Sequence, residues 1–287
     1  MAGANREYKD RLFKFIFGNP ENKEWTLSLY NAINGTNYQN PNEIKFTTIE
    51  DALYIGMKND ISFLVTNTMS FYEQQSTFNP NIPMRMLIYS GMAYSRFIEE
   101  SEKYNQYSSL QQFAPTPKCI CFYNGTVDFS DRKYLFLHDA FDGKIEPDID
   151  VKVLMLNINH GKNTEIMNLC KPLEEYSWFV ERIRFHGKTN GDLETSIDRA
   201  LQEMPVDFQI RKFLLANKAE VRRMCITEYD EAKTQKQFRE EGREEGKTEL
   251  TISNIKRMHK KGLSKDTICE LLDVPEEMVD KVLNSPE

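Results

Sequence analysis

The stretch MKNDISFLVTNTMSFYEQQSTFNPN, residues 57–81, holds the residue types best suited to chemistry. Two apolar runs flank Thr66-Asn67, and a hairpin with its loop centred there pairs residues whose numbers sum to 133. Asp60 then faces Glu73 on one side of the sheet, with Cβ atoms about 4.5–5.5 Å apart. Two carboxylates that close repel, and one pKa rises unless a cation lies between them. A hard divalent ion such as Mg²⁺, which takes oxygen ligands, relieves that repulsion. Strand alternation sets Gln75 on the Glu73 side and turns the Gln74 side chain away. Two such acids also serve commonly as solvated or lysine-paired residues at strand ends. What favours a site here is the polar run Glu73-Gln74-Gln75-Ser76-Thr77 closing an otherwise apolar strand, with an Asn-rich loop directly after it.

The next helix adds Arg85, Tyr89, Met92 and Arg96 at spacings of +4, +7 and +11, a narrow helical face. Met84, Leu87, Ile88, Gly91 and Ile98 line another. Two arginines with an aromatic between them suit a phosphodiester backbone. They suit equally a half-exposed face on which arginines extend their charged heads to water.

These residues need elements to position them. Tyr8, Leu12, Phe13, Phe15, Ile16 and Phe17 predict an opening helix stopped by Gly18-Asn19-Pro20, and residues 24–33 a second one. Strands are expected at 52–57, 60–65 and 69–75. Asn79-Pro80-Asn81-Ile82-Pro83 opens a long helix to about Tyr104. Strands follow at 118–123, 134–137 and 151–158, and Asn124-Gly125 reads as a hairpin turn. Beyond His160-Gly161 the pattern is helical over 163–184, 192–204 and 207–225. The expected fold is a mixed α/β domain followed by an all-helical C-terminal extension.

Composition sets outer bounds. The chain has 287 residues, a formal net charge of −7 and 40% hydrophobic residues. That length buries a core without disulfides or a structural metal. The charge excludes a general polycationic coat for nucleic acid, though not a local phosphate-handling site. No apolar run is long enough to span a membrane, and the N-terminus lacks the pattern of a secretory signal, so a cytoplasmic protein is expected. The five scattered cysteines and four histidines show no zinc spacing and read as reduced, buried thiols and isolated imidazoles.

Several short motifs together resemble the PD-(D/E)xK phosphodiesterase superfamily, and more closely the bacterial PD-(D/E)xK nuclease family transposases related to recombination-promoting nucleases. They are Tyr8-Lys9-Asp10-x-x-Phe13-Lys14, Asn59-Asp60-x-Ser62-Phe63, Glu73-x-Gln75-Ser76-Thr77-x-Asn79-Pro80-Asn81 with Pro83 and Arg85, Phe122-Tyr123-Asn124-Gly125, and Leu156-Asn157-Ile158-Asn159. The resemblance runs from about Tyr8 to Glu231. It implies an αβββαβ core with a mixed sheet flanked by helices over residues 1–162, and a helical extension at 163–225 packed on it. It also implies a Mg²⁺-dependent DNA endonuclease, with Mn²⁺ able to substitute, tied to recombination or mobile DNA. Asp60, Glu73 and the backbone carbonyl of Gln74 would hold the metal. Gln75 stands where the superfamily usually has lysine, and Asp10 is an additional candidate acid. Arg85, Tyr89 and Arg96 are the candidate substrate contacts. The competing expectations are a non-catalytic nucleic-acid-binding or interaction protein that keeps the fold, motivated by the glutamine, and a defence or toxin nuclease with the same site.

Residues 226–250 read as a charged helical linker, in which Gly242 and Gly246 weaken any helix. Residues 251–287 read as a small helix-turn-helix-like tail, with Ser264 capping one helix and Pro275 starting another. From residue 264 onward this tail carries −5 of the net −7, so phosphate repulsion argues against reading DNA. Packing or self-association, giving a homodimer through the C-terminal helices, is the expectation there.

Overall fold

The computed structural model describes residues 11–47, 61–101, 104–190, 193–225, 243, 247 and 250–283. The strand expected at 52–57 and the candidate acids Asp10 and Asp60 lie outside the described residues.

A six-stranded mixed sheet organises the chain up to residue 225. Its strands are β1 (Lys45–Phe46), β2 (Ile61–Val65), β3 (Thr68–Gln75), β4 (Thr116–Tyr123), β5 (Arg132–Phe136) and β6 (Lys152–Asn157), in the order β1-β2-β3-β4-β6-β5. β2 and β3 form the expected antiparallel hairpin. Ile61 pairs with Tyr72 and Val65 with Thr68, the register in which paired numbers sum to 133. Its tight turn puts Thr66 at φ 50°. That left-handed conformation is unusual for a β-branched residue and costs on the order of 1 kcal/mol.

From β3 the chain crosses over through α3 (Ile82–Glu100) and returns as β4, parallel to β3 from Thr68↔Thr116 to Gln75↔Tyr123. β6 lies parallel to β4 on its other side, and β5 is antiparallel to β6. The hairpin expected at Asn124-Gly125 is therefore corrected: β6 is inserted between β4 and β5, which do not pair. Gly125 has a different task at the end of β4. A Cβ there would run into the Ser76 carbonyl oxygen and the Tyr123 ring. Glycine thus lets the chain leaving β4 pass close beneath the chain leaving β3.

Alternate residues of the central strands feed two cores. On one face Phe63, Tyr72, Phe122 and Leu156 pack with α1 (Arg11–Phe17), α2 (Lys23–Asn34), α4 (Thr164–Leu169), α5 (Lys171–Asn190), α6 (Leu193–Glu203) and α7 (Arg211–Ala216). Phe13 of α1 lies 4.8 Å from Phe122 and 5.6 Å from Tyr176, centroid to centroid. On the other face Met69, Phe71, Cys121, Tyr123, Val153 and Met155 pack with Ile82, Met86, Tyr89 and Ala93 of α3. With both faces covered, β3 is buried along almost its whole length, as strands in a parallel arrangement are.

The helical part divides more finely than expected. The helix predicted at 163–184 is two, broken at Cys170 (φ −124°, ψ 86°). The one predicted at 207–225 is interrupted by a turn at Asn217. The cysteines are free, and burial pushes the thiols of Cys119 and Cys170 up to about 11.

The chain forms two compact units, Met1–Tyr229 and Asp230–Glu287. In the second, helical residues 250–260, Lys265–Leu272 and Glu276–Leu283 enclose Ile255, Ile268, Val279 and Val282. Ser264 caps the middle helix, its Oγ accepting from the Thr267 amide at 3.3 Å. Among the described residues no helix is long and apolar enough to cross a membrane.

Candidate active site at the carboxyl end of β3

β3 turns from apolar to polar over its last residues, and sheet alternation sorts them. Phe71, Glu73 and Gln75 share the face covered by α3, whereas Tyr72 and Gln74 project towards the opposite core. Burial raises the Tyr72 phenol well above its usual pKa. Glu73 is only 1% exposed, a position where an ionised carboxylate needs a partner.

Arg85 is that partner. Its Nη2 forms an ion pair with Glu73 Oε1. Its Nε and Nη2 donate to the Tyr89 hydroxyl at 3.1 and 2.9 Å. With the Gln75 amide turned to satisfy both of its ends, Gln75 accepts from Arg85 Nη1 at 2.9 Å and donates to the Thr77 carbonyl at 3.1 Å. One guanidinium thus joins the acid, the glutamine and the tyrosine. The i, i+4 spacing on α3 brings Arg85 and Tyr89 together. The N-terminus of a helix disfavours a cation and favours a carboxylate, so Glu73 also offsets the cost of an arginine near the start of α3.

The expected substrate contacts separate in the structure. Tyr89 is 1% exposed and lies in the core between α3 and the sheet. Its hydroxyl accepts from Arg85, whose Cζ also lies 5.7 Å from the centroid of the Tyr89 ring. Arg85 is partly exposed and bound to Glu73. Arg96 is exposed and pairs with Glu100 at 3.3 Å. Eleven residues along the helix set it about 16 Å from Arg85. The buried stripe of α3 is Ile82, Met86, Tyr89 and Ala93, while Met84 and Gly91 are exposed. The helix is therefore rotated relative to the apolar face expected from Met84, Leu87, Ile88 and Gly91. The carboxylate below it draws Arg85 inward, and Tyr89 follows one turn later.

For a metal, Glu73 and the Gln74 carbonyl are hard oxygen donors of the kind Mg²⁺ accepts. The described part of the expected ligand set fits in kind. Among the described residues no group of three or more His, Cys, Asp or Glu side chains is arranged to hold a metal ion.

Sequence reasoning missed the guanidinium on Glu73. Spacing carried no signal for it, because the contact depends on how α3 crosses the sheet. It also missed that Asn124-Gly125 and Asn157-Ile158-Asn159 meet at the ends of parallel strands. Asn159 Nδ2 donates to the Gly125 carbonyl at 3.0 Å and to Asn157 Oδ1 at 2.9 Å. Asn163 Nδ2 donates to the Asn157 carbonyl at 2.9 Å. No family model, curated protein or solved structure matches this chain.

Proposed function

We propose that the chain is a Mg²⁺-dependent DNA endonuclease with a PD-(D/E)xK-type core, working at the carboxyl end of β3. The observation that carries this reading is the buried Glu73 held with Gln75 on one arginine. Asp60, Glu73 and the Gln74 carbonyl would hold the ion. When bound, Mg²⁺ supplies charge stabilisation of a phosphodiester oxygen and a more acidic water.

The chain's own residues do the rest. Glu73 lies in a buried setting with the Arg85 guanidinium against its carboxyl group. Arg85 also provides the cation that Gln75 lacks where lysine is usual. Its partly exposed guanidinium can offer N–H groups to a phosphate oxygen. Gln75 acts as a neutral orienting group, able to donate and accept but not to serve as a base.

The test is nicking of supercoiled plasmid by the wild type, Asp60→Ala and Glu73→Ala, in Mg²⁺ and in EDTA. Nicking confined to the wild type with Mg²⁺ is expected. Nicking that persists in both variants or in EDTA would sink the assignment. A second reading, a non-catalytic DNA-binding or interaction protein that keeps the fold, is favoured by the Arg85 charge already seated on Glu73. Metal-independent DNA binding without nicking would select it.

A further inference from the structure

A second polar site lies on the opposite face of the sheet from Glu73, at the carboxyl ends of β4 and β6. A cleft of about 430 Å³ opens between the loop after β4, the loop after β6 and one side of α5. It is of the size that small-molecule sites occupy.

Two of its lining side chains are buried and incompletely bonded. Asn124 and Ser177 are 5% and 4% exposed, and Asn124 Oδ1 and Ser177 Oγ have no hydrogen-bond partner among the described residues. The other polar groups of Asn124 are engaged. Its Nδ2 donates to the Tyr176 hydroxyl at 3.1 Å, its backbone amide donates to the Gln75 carbonyl at 3.0 Å, and its carbonyl accepts from Arg184. A buried polar atom without a partner costs about 1–3 kcal/mol, so two in one cleft point to a ligand. For Oδ1 that ligand must bring a donor, as a ring amine or a sugar hydroxyl does.

The rest of the lining has a different character. Arg184 is fixed through a 3.0 Å hydrogen bond to Asn159 Oδ1, and Lys188 follows one turn later on the same side of α5. Lys162 and Asp128 neutralise each other at 2.9 Å. Glu181 also lines the cleft, one turn before Arg184, with its carboxylate 3.8 Å from His160 Nε2. Beyond it along α5, Arg184 and Lys188 make that end of the cleft cationic, suited to phosphate. Between them Phe185 lines the cleft with a half-exposed ring, a surface on which a base can stack.

We infer that this cleft binds a nucleoside monophosphate, either free or as the 5′-phosphorylated terminal nucleotide of a strand. Its sugar or base would supply donors to Asn124 and Ser177, its ring would lie on Phe185, and its phosphate would meet Arg184 and Lys188. The inference rests on the cleft alone and not on the nuclease reading.

Calorimetric titration of the full chain tests it, using AMP, CMP, adenosine, inorganic phosphate, and tetranucleotides with and without a 5′-phosphate. A mononucleotide, or the phosphorylated tetranucleotide, should bind saturably and about tenfold or more tighter than phosphate or adenosine. Lys188→Gln and Arg184→Gln should weaken that binding. Ser177→Ala should weaken it without lowering the melting temperature, because the hydroxyl has no internal bond to lose. Glu73→Ala should leave it unchanged, which separates this site from the nuclease centre. Tight binding by mononucleotides alone identifies a free nucleotide as the occupant. Equal binding by the phosphorylated tetranucleotide, but not its hydroxyl counterpart, identifies a strand end. The inference is overturned if no mononucleotide or phosphorylated tetranucleotide binds at millimolar concentration. Phosphate binding as tightly as AMP, or affinity unmoved by both Ser177→Ala and Lys188→Gln, overturns it as well.

Discussion

At the residue scale the molecule turns on one guanidinium. Arg85 binds a carboxylate that is 1% exposed, and the same group reaches Gln75 and Tyr89. Removing one partner of a buried pair leaves the other charge uncompensated. Arg85→Ala should therefore lower stability by about 2–3 kcal/mol, below the usual range for fully buried pairs because Arg85 remains partly exposed. Adding Glu73→Gln to that variant should recover part of the loss. Urea denaturation of the two single variants and the double variant measures both effects. An Arg85→Ala loss within about 0.5 kcal/mol, the range of an ordinary surface change, would mean the pair contributes little. Period-2 alternation was enough to put Glu73 and Gln75 on one face. Arg85 was legible as a helix residue shortly after the polar end of β3, but not as the partner of Glu73. The eleven positions between them include a loop and the start of a helix whose rotation is decided by packing.

At the element scale, the helices behind the sheet are tied by charge as well as by apolar contact. Asp198 on α6 accepts from Lys218 Nζ at 2.9 Å and from Arg222 Nε at 2.7 Å. The bonded Arg222 first, and then Lys218, hold its carboxyl below the usual aspartate pKa. A carboxyl whose folded pKa is depressed adds stability above its unfolded pKa, about 3.9, and loses it as pH falls through the lower folded value. Asp198→Asn should therefore lower the melting temperature at neutral pH and flatten its decline below about pH 4. Melting curves at stepped pH check both parts, and an unchanged acid slope would contradict them. Strand pairing shows the same division between local and distant causes. The β2–β3 hairpin follows from local pattern and a two-residue turn. Asn124-Gly125 carries an equally strong local turn signal, yet it ends a parallel strand. The competing β4–β6 pairing joins residues far apart in sequence, which a local pattern does not encode.

At the scale of the whole molecule, each compact unit carries its own apolar core. The two cores of the first unit draw on residues from Leu12 to Cys225, and that of the second on residues after 250. A chain ending at Tyr229 should accordingly fold and keep the cooperative melting transition of the first unit. Circular dichroism and thermal melting check this, and a non-cooperative transition would refute it. By itself, the sequence determined the mixed α/β class, the β2–β3 register, the polar end of β3 and the acidic helical tail. Those features follow from side-chain period, turn residues and charge within a few positions of one another. Only the tertiary structure decided that Arg85 sits on Glu73, that β6 separates β4 from β5, and that Asn124 and Ser177 meet across a cleft. Each joins segments whose relative placement is set by the packing of helices on the two sheet faces, where the burial of many side chains outweighs any single local preference.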